Sequence, residues 1–116
     1  MEAIARTVFH RGSARKMNRI LNLIRNKPVP KAIAILDFLP KPTKLPISKT
    51  LKSAVANAMV KGGKAKISEE DLFVKIATAD GGPLMKRFTA GPRGSASRIL
   101  HRTCHISISV ATKENK

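Results

Sequence analysis

The sequence predicts an α+β fold, with three helices packed on a small antiparallel three-stranded sheet and a long β-hairpin protruding from it. Three observations predict it. Apolar residues recur at helical spacing in three separate segments between residues 14 and 61. Two later segments, 72–79 and 104–111, alternate with period two, as half-buried strands do. Between those two lies a thin segment, residues 80–102, that is rich in Gly, Ala, Ser, Thr and Pro and holds a single acid, the Asp80 that opens it.

Residues 2–9, "EAIARTVF", mix polar residues with Ile, Thr, Val and Phe and read as a first strand. "HRGS" is a turn, and Ser13 is placed as the N-cap of the first helix. Residues 14–26 put Ala14, Met17, Leu21 and Ile24 on one buried stripe, with Arg15, Arg19 and Asn22 on another face. Pro28 and Pro30 stop this helix and open the next, because proline is tolerated in a first turn. Residues 30–39 place Ala32, Ile33 and Leu36 on one side, while Ile35, Phe38 and Leu39 widen it, so burial on more than one face is expected. The prolines of "PKPTKLP" forbid a continuous helix. Residues 47–61 form the third helix, with Ile47, Leu51, Ala54, Val55 and Ala58 as its stripe and the "GGK" at 62–64 as its stop.

Of the two late strands, the first sets Leu72, Val74 and Ile76 against Phe73, Lys75 and Ala77. The second sets Ile106, Ile108 and Val110 against His105, Ser107 and Ser109. Their simplest pairing is antiparallel, with "AGPRG" near the turn of a hairpin that leaves the body at about Gly82. About nine residues of strand then reach ~30 Å. A bare two-stranded ribbon is marginal in water, so a partner must hold it. There is no internal repeat and no second domain: residues 1–116 read as one domain with an arm at about 82–100.

Charge identifies that partner's chemistry. The chain carries 23 Lys+Arg against 7 Asp+Glu, a net charge of +16, which favours a polyanion. No acid lies between Glu2 and Asp37, whereas Arg6, Arg11, Arg15, Lys16, Arg19, Arg25, Lys27 and Lys31 do. The arm adds Lys86, Arg87, Arg93, Arg98 and Arg102, with His101 and His105 beside them. The acids Glu69, Glu70 and Asp71 gather before the first late strand, on a solvent-facing or protein-facing side. Four Phe and no Trp or Tyr argue against a stacking platform of the RRM or OB kind and for recognition through shape and phosphates, as in structured RNA. The small residues near the tip fit a tight passage through packed nucleic acid.

Other functions find little support. No apolar run would span a bilayer, and the N-terminus has neither a signal-peptide core nor a transit-peptide composition. Cys104 is the single cysteine, so no intrachain disulfide forms and a reducing cytosol fits. On a strand His101 and His105 share one face and Cys104 the other, which is no metal site. The "GGK" follows a helix, where a phosphate-binding loop would precede one. Ser95 and Ser97 have no base at hand, and no carboxylate pair marks a pocket. The sequence therefore predicts no enzyme, cofactor or metal. The competing reading is a DNA-architectural protein with a basic β-arm, its Pro92 set to wedge between base pairs, although such arms usually come from an apolar dimer.

"RGSARKMNRILNLIRNKPVPKAIAIL", "SKTLKSAVANA", "GPLMKRF" and "RILHRTCHISISV" together resemble the bacterial form of large-subunit ribosomal protein twenty-two, in order and with matching spacing over nearly the whole chain. The resemblance implies an α+β body near the outer mouth of the peptide exit tunnel of a cytoplasmic ribosome. It implies a hairpin threaded through 23S-type rRNA, with its tip at the tunnel constriction opposite ribosomal protein four and facing the nascent peptide. It also implies a role early in subunit assembly and an influence on macrolide sensitivity. By matching position, Arg15 and Lys16 fall in the first-helix RNA-binding motif. Met85, Lys86 and Arg87 fall in the segment tied to macrolide sensitivity. Arg98, Arg102, Thr103 and His105 fall in the basic motif of the returning strand. Phe88, Ala90, Gly91, Pro92, Arg93 and Gly94 complete the tunnel-lining end. The tip departs from the family's arginine-rich form: residues 91–96 read "GPRGSA", and Cys104 stands where the family usually has Ser.

Overall fold

The computed structural model describes residues 2–62 and 69–112. The chain runs β1 (Glu2–Arg11), α1 (Ala14–Ile24), α2 (Val29–Phe38), α3 (Lys44–Gly62), a 3-10 turn (Glu69–Asp71), β2 (Leu72–Gly81), β3 (Met85–Ala90), a tip turn (Pro92–Gly94), β4 (Ala96–His101) and β5 (Thr103–Thr112). β5 is the middle of a three-stranded antiparallel sheet ordered β1-β5-β2, and β3 and β4 form a separate two-stranded ladder. The α+β architecture with a projecting hairpin is thus as the sequence predicts. The molecule measures 67 × 25 × 19 Å because the hairpin continues the long axis of the sheet.

One face of the sheet meets the helices. Cys104, Ile106, Ile108 and Val110 of β5 point into the core, with Ala3 and Ala5 on one side and Val74, Ala77 and Ala79 on the other. Met17, Ile20, Leu21 and Ile24 of α1, Val29, Ala32 and Leu36 of α2, and Ile47, Leu51, Ala54, Val55 and Ala58 of α3 close over them. Alanines on the flanking strands leave room for the larger side chains of the helices and of β5. Among all this apolar surface, Thr50 of α3 shares a hydrogen bond with Thr7 of β1 and donates to the Pro46 carbonyl.

Both outer edges of the sheet are covered by donors from the helices. On the β2 side, the Asn18 amide donates to the Ala79 carbonyl and its oxygen accepts from the Ala79 N–H. The Arg25 guanidinium donates to the Ala77 carbonyl. The turn after α1 completes this side: Asn26 N–H bonds to the Val74 carbonyl and Val74 N–H to the Lys27 carbonyl. On the β1 side, Asn57 donates to the Ile4 carbonyl and Lys61 to the Glu2 carbonyl.

Several local expectations change. α1 ends at Ile24 rather than 26, since Arg25 turns extended and Asn26 takes a left-handed φ of 62° that brings the chain back to β2. Ser13 occupies the N-cap position with extended backbone, but its side chain makes no capping bond. The pairing of β2 with β5 shifts between Val74 and Ile76, so the extra residue, Lys75, turns the strand over. Ile76 therefore faces outward, 47% exposed, and Ala77 and Ala79 take the core positions. A similar shift in β1 falls between Thr7 and His10, where Phe9 has φ 55°. Phe38, at the last residue of α2, is 90% exposed, whereas Ile33, Ile35 and Leu39 are partly buried against the core beside Ala32 and Leu36. Gly62 is the last residue of α3, while Gly63 and Lys64 lie outside the described residues.

Cys104 is fully buried in the helix-facing layer, and desolvation pushes its thiol pKa up. A raised pKa means that the fold favours the protonated thiol. Its contribution to stability is complete below the unfolded value of about 8.5 and is lost as pH rises through the folded one. Ellman's reagent should label the native chain slowly at pH 8 and rapidly in urea. Native labelling at the rate of a free thiol would contradict this burial.

Candidate nucleic-acid interface

The strands of the sheet and those of the arm are not one continuous ribbon. The ladder breaks at residues 82–84 on one side and at Arg102 on the other. Gly82 N–H bonds to the Thr103 carbonyl, Thr103 Oγ1 donates to the Pro83 carbonyl, and Gly12 N–H bonds to the Arg102 carbonyl. A Cβ on Gly82 would stand 2.5 Å from Thr103 Oγ1 and 3.2 Å from His105 Nε2, so a side chain there would push the Thr103 hydroxyl off its bond to Pro83. His105 is fixed from the other side: its Nδ1 accepts from the Phe9 N–H, and the two rings meet edge to face at 5.0 Å.

Beside this break in the ladder a cleft lies between the arm root and the start of α1. The cleft has a volume of about 510 Å³ and is lined by Ser13, Ala14, Arg15, Lys16, Arg19, Gly81, Gly82, Leu84, Arg102 and Thr103. Arg15, Lys16, Arg19 and Arg102 are all exposed, and among the described residues none has a carboxylate within ion-pair distance. The first turn of α1 carries no acid, so its free N–H groups add positive potential at the same place. A shallower depression continues past Arg102 to Arg11, Gly12, Ser13, Leu100 and His101. Another continues past Lys16 and Arg19 to Lys41, Pro42 and Thr43. The result is a basic stripe across the arm root, from Arg11 to Lys41.

The arm carries the second set of charges. Met85↔His101, Arg87↔Ile99 and Thr89↔Ser97 share one face of its ladder; Lys86↔Leu100, Phe88↔Arg98 and Ala90↔Ala96 share the other. Residues 86–90 and 92–100 are all exposed. The tip is a tight turn in which Ser95 N–H bonds to the Pro92 carbonyl. Arg93 and Gly94 both have left-handed φ, 59° and 75°, the form whose twist suits a β-ribbon. Glycine takes this conformation freely, but Arg93 bears a modest backbone penalty to present its charge at the tip.

The sequence-identified residues thus fall into distinct places. Arg15, Lys16, Arg19, Arg102 and Thr103 gather at the cleft, and Arg11 and His101 adjoin it. Lys86, Arg87, Arg93 and Arg98 line the arm, with Met85, Phe88, Ala90, Gly91, Pro92 and Gly94. Arg6 stands apart, on the open face of the sheet in register with Ser107 and Thr78. Arg25 is turned inward, onto the edge of β2 and the side chains of Asn18 and Asn22. Lys41 escapes sequence reasoning, which sees there only a helix-breaking run; a lysine set between two prolines is a cation held on a stiff turn. Glu2 is ion-paired with Lys75, whose hydrogen bond holds its carboxyl below the ordinary range, well away from the cleft. Among the described residues no group of three or more His, Cys, Asp or Glu could hold a metal, and no helix is long and apolar enough to cross a membrane.

The family model for ribosomal protein L22p/L17e matches residues 5–111. The chain is 47% identical over 115 residues to the large ribosomal subunit protein uL22 of Bifidobacterium longum strain DJO10A, covering 97% of this chain and 95% of the relative. It is 44% identical to the protein of that name from Prochlorococcus marinus strain MIT 9515, covering 99% and 88%. To that of Geobacter sulfurreducens it is 40% identical, covering 98% and 100%.

Proposed function

The chain belongs to the ribosomal protein L22p/L17e family, whose members are structural components of the large ribosomal subunit, and from that membership we propose how it works there. It is not an enzyme, and its place is the cytoplasmic ribosome. In the proposed mechanism it binds 23S-type rRNA at two places. The cleft at the arm root (Arg15, Lys16, Arg19 and Arg102, flanked by Arg11, His101 and Thr103) clamps a phosphate backbone from outside. The arm, about residues 82–100, passes between rRNA segments with Lys86, Arg87, Arg93 and Arg98 against their phosphates. Together they lower the repulsion between those segments and fix their relative positions, which is a role in early assembly. The turn at residues 91–94 then lines the exit tunnel, near the neighbouring ribosomal protein four and the nascent peptide.

The observation that carries this reading is the arm. It buries nothing in the core, it presents cations and no carboxylate along six residue pairs, and its own ladder is too small to be stable in water unaided. Such an element offsets its conformational cost only inside a polyanionic surrounding. Arg25 and His105 play a supporting part here, since their side chains are already bonded within the fold.

The test is fractionation of cell lysate on a sucrose gradient at moderate and then high salt, followed by crosslinking from the arm. Co-migration with the large subunit that survives high salt, with arm crosslinks to rRNA, is the expected result. Loss at high salt would remove the threaded arm from the account. Migration with DNA would favour an architectural role in which Pro92, exposed at the tip, is the wedge.

A further inference from the structure

We propose that Phe88 is a base-stacking site, at which the arm captures one unpaired nucleobase while Arg98 and Lys86 hold the phosphates beside it. The inference rests on the rRNA-binding reading above and adds to it a contact with a base rather than with the backbone.

Phe88 is the arm's one aromatic residue and is 70% exposed. A phenyl ring left in water forgoes one of the larger burial gains open to a side chain. Its surroundings define what could cover it. Arg98 lies directly opposite on the neighbouring strand, and Lys86 and Leu100 form the next pair on the same face toward the body. Toward the tip that face carries only Ala90 and Ala96, so no large arm side chain closes over the ring there. The result is a flat aromatic platform, open on one side and bordered by two cations on the other.

A nucleotide from a loop or bulge offers the complementary parts. Its base has a flat π-face that stacks on a phenyl ring, and its phosphates lie within reach of neighbouring Arg and Lys side chains. A protein segment is a poorer fit, since packing against Phe88 would bring apolar side chains beside two desolvated cations without an acid to match them. The opposite face of the arm has no such platform: it carries Met85, Arg87, Thr89 and their partners, and would meet phosphates or solvent. Exposed Phe38 and Val60 on the helices lack this paired setting of ring and cations on one ribbon face.

The full chain supplies a clean reporter, because it contains no Trp or Tyr. In Phe88→Trp the single indole should be strongly quenched on binding 23S-type rRNA, as stacked indoles are. Phe88→Leu should weaken binding to the same RNA about tenfold, the scale of one base stack, without changing the slope of log K against log salt. Arg98→Gln should instead reduce that slope by about one. Wild-type affinity for Phe88→Leu, or an indole that brightens and shifts to the blue on binding, would overturn the stacking site while leaving rRNA binding intact. Failure of the wild-type chain itself to bind the rRNA would overturn both.

Discussion

Replacing Arg15, Lys16, Arg19 and Arg102 together by Gln should weaken binding to large-subunit rRNA by two to three orders of magnitude at about 0.15 M salt. Each cation that meets a phosphate releases condensed counterions, and log K falls with log salt by about 0.7 to 0.9 per phosphate neutralised. Removing all four charges at once should flatten that slope by about 3. The four residues line one cleft at the arm root, are exposed, and among the described residues have no carboxylate to pair with. Removing them therefore costs the fold little, and surface changes of this kind usually stay within about 0.5 kcal/mol each. A urea midpoint close to wild type, with the slope flattened, is the expected pair of results. An unchanged slope would mean that the cleft faces solvent in the particle. Arg6→Gln, on the open face of the sheet, serves as the comparison and should change the slope by no more than the share of a single phosphate.

Ile108→Ala should destabilise the body by about 4 kcal/mol, toward the upper end of the usual range for such truncations. Ile108 is fully buried at the centre of the middle strand. Its partners across the two ladders are Ala5 and Ala77. Neither alanine has a rotamer with which to fill the hole, so the cavity persists rather than collapsing. A domain of this size holds only about 5–15 kcal/mol in all. With a urea dependence near ~2 kcal/mol per molar, the midpoint should fall by about 2 M. Ile4→Ala is the control: the same chemical change at a position 46% exposed on the outer face of β1 should cost under about 1 kcal/mol. Equal losses at the two positions would mean that the sheet's outer face is covered too.

Much of this architecture is legible in the sequence, for identifiable reasons. The stripes of α1 and α3 follow a strict helical spacing, and Met17, Leu21, Ile24, Ile47, Leu51, Ala54, Val55 and Ala58 are all buried where that spacing puts them. The hairpin is legible because the segment between two alternating strands has too little apolar volume to join a core. What periodicity cannot report is an inserted residue. Lys75 and the Val8–Phe9 pair each reverse the phase of a strand, and nothing in the local pattern marks them, because the compensation lies in the partner strand. The stop after α1 is partly readable, since Asn is among the few residues that accept a left-handed φ, and Asn26 does so. The candidate interface is legible as charge but not as geometry. Arg25 and Arg19 look alike in sequence, yet one reaches the β2 edge and the other the cleft, a difference decided by which side of α1 packs on the sheet.

The side chains that occupy the sheet's borders also bear on the chain's life before it reaches the subunit. An uncovered strand edge is a template on which another chain can add a strand, and from there an aggregate can grow. Asn18, Arg25, Asn57 and Lys61 already occupy carbonyls along β1 and β2, so the body offers little such template. The ribbon edges of the arm are left bare, but they belong to a strongly cationic element that repels its own copies. A newly made molecule thus offers its siblings little strand template from the body, and an arm that meets theirs with charge of the same sign.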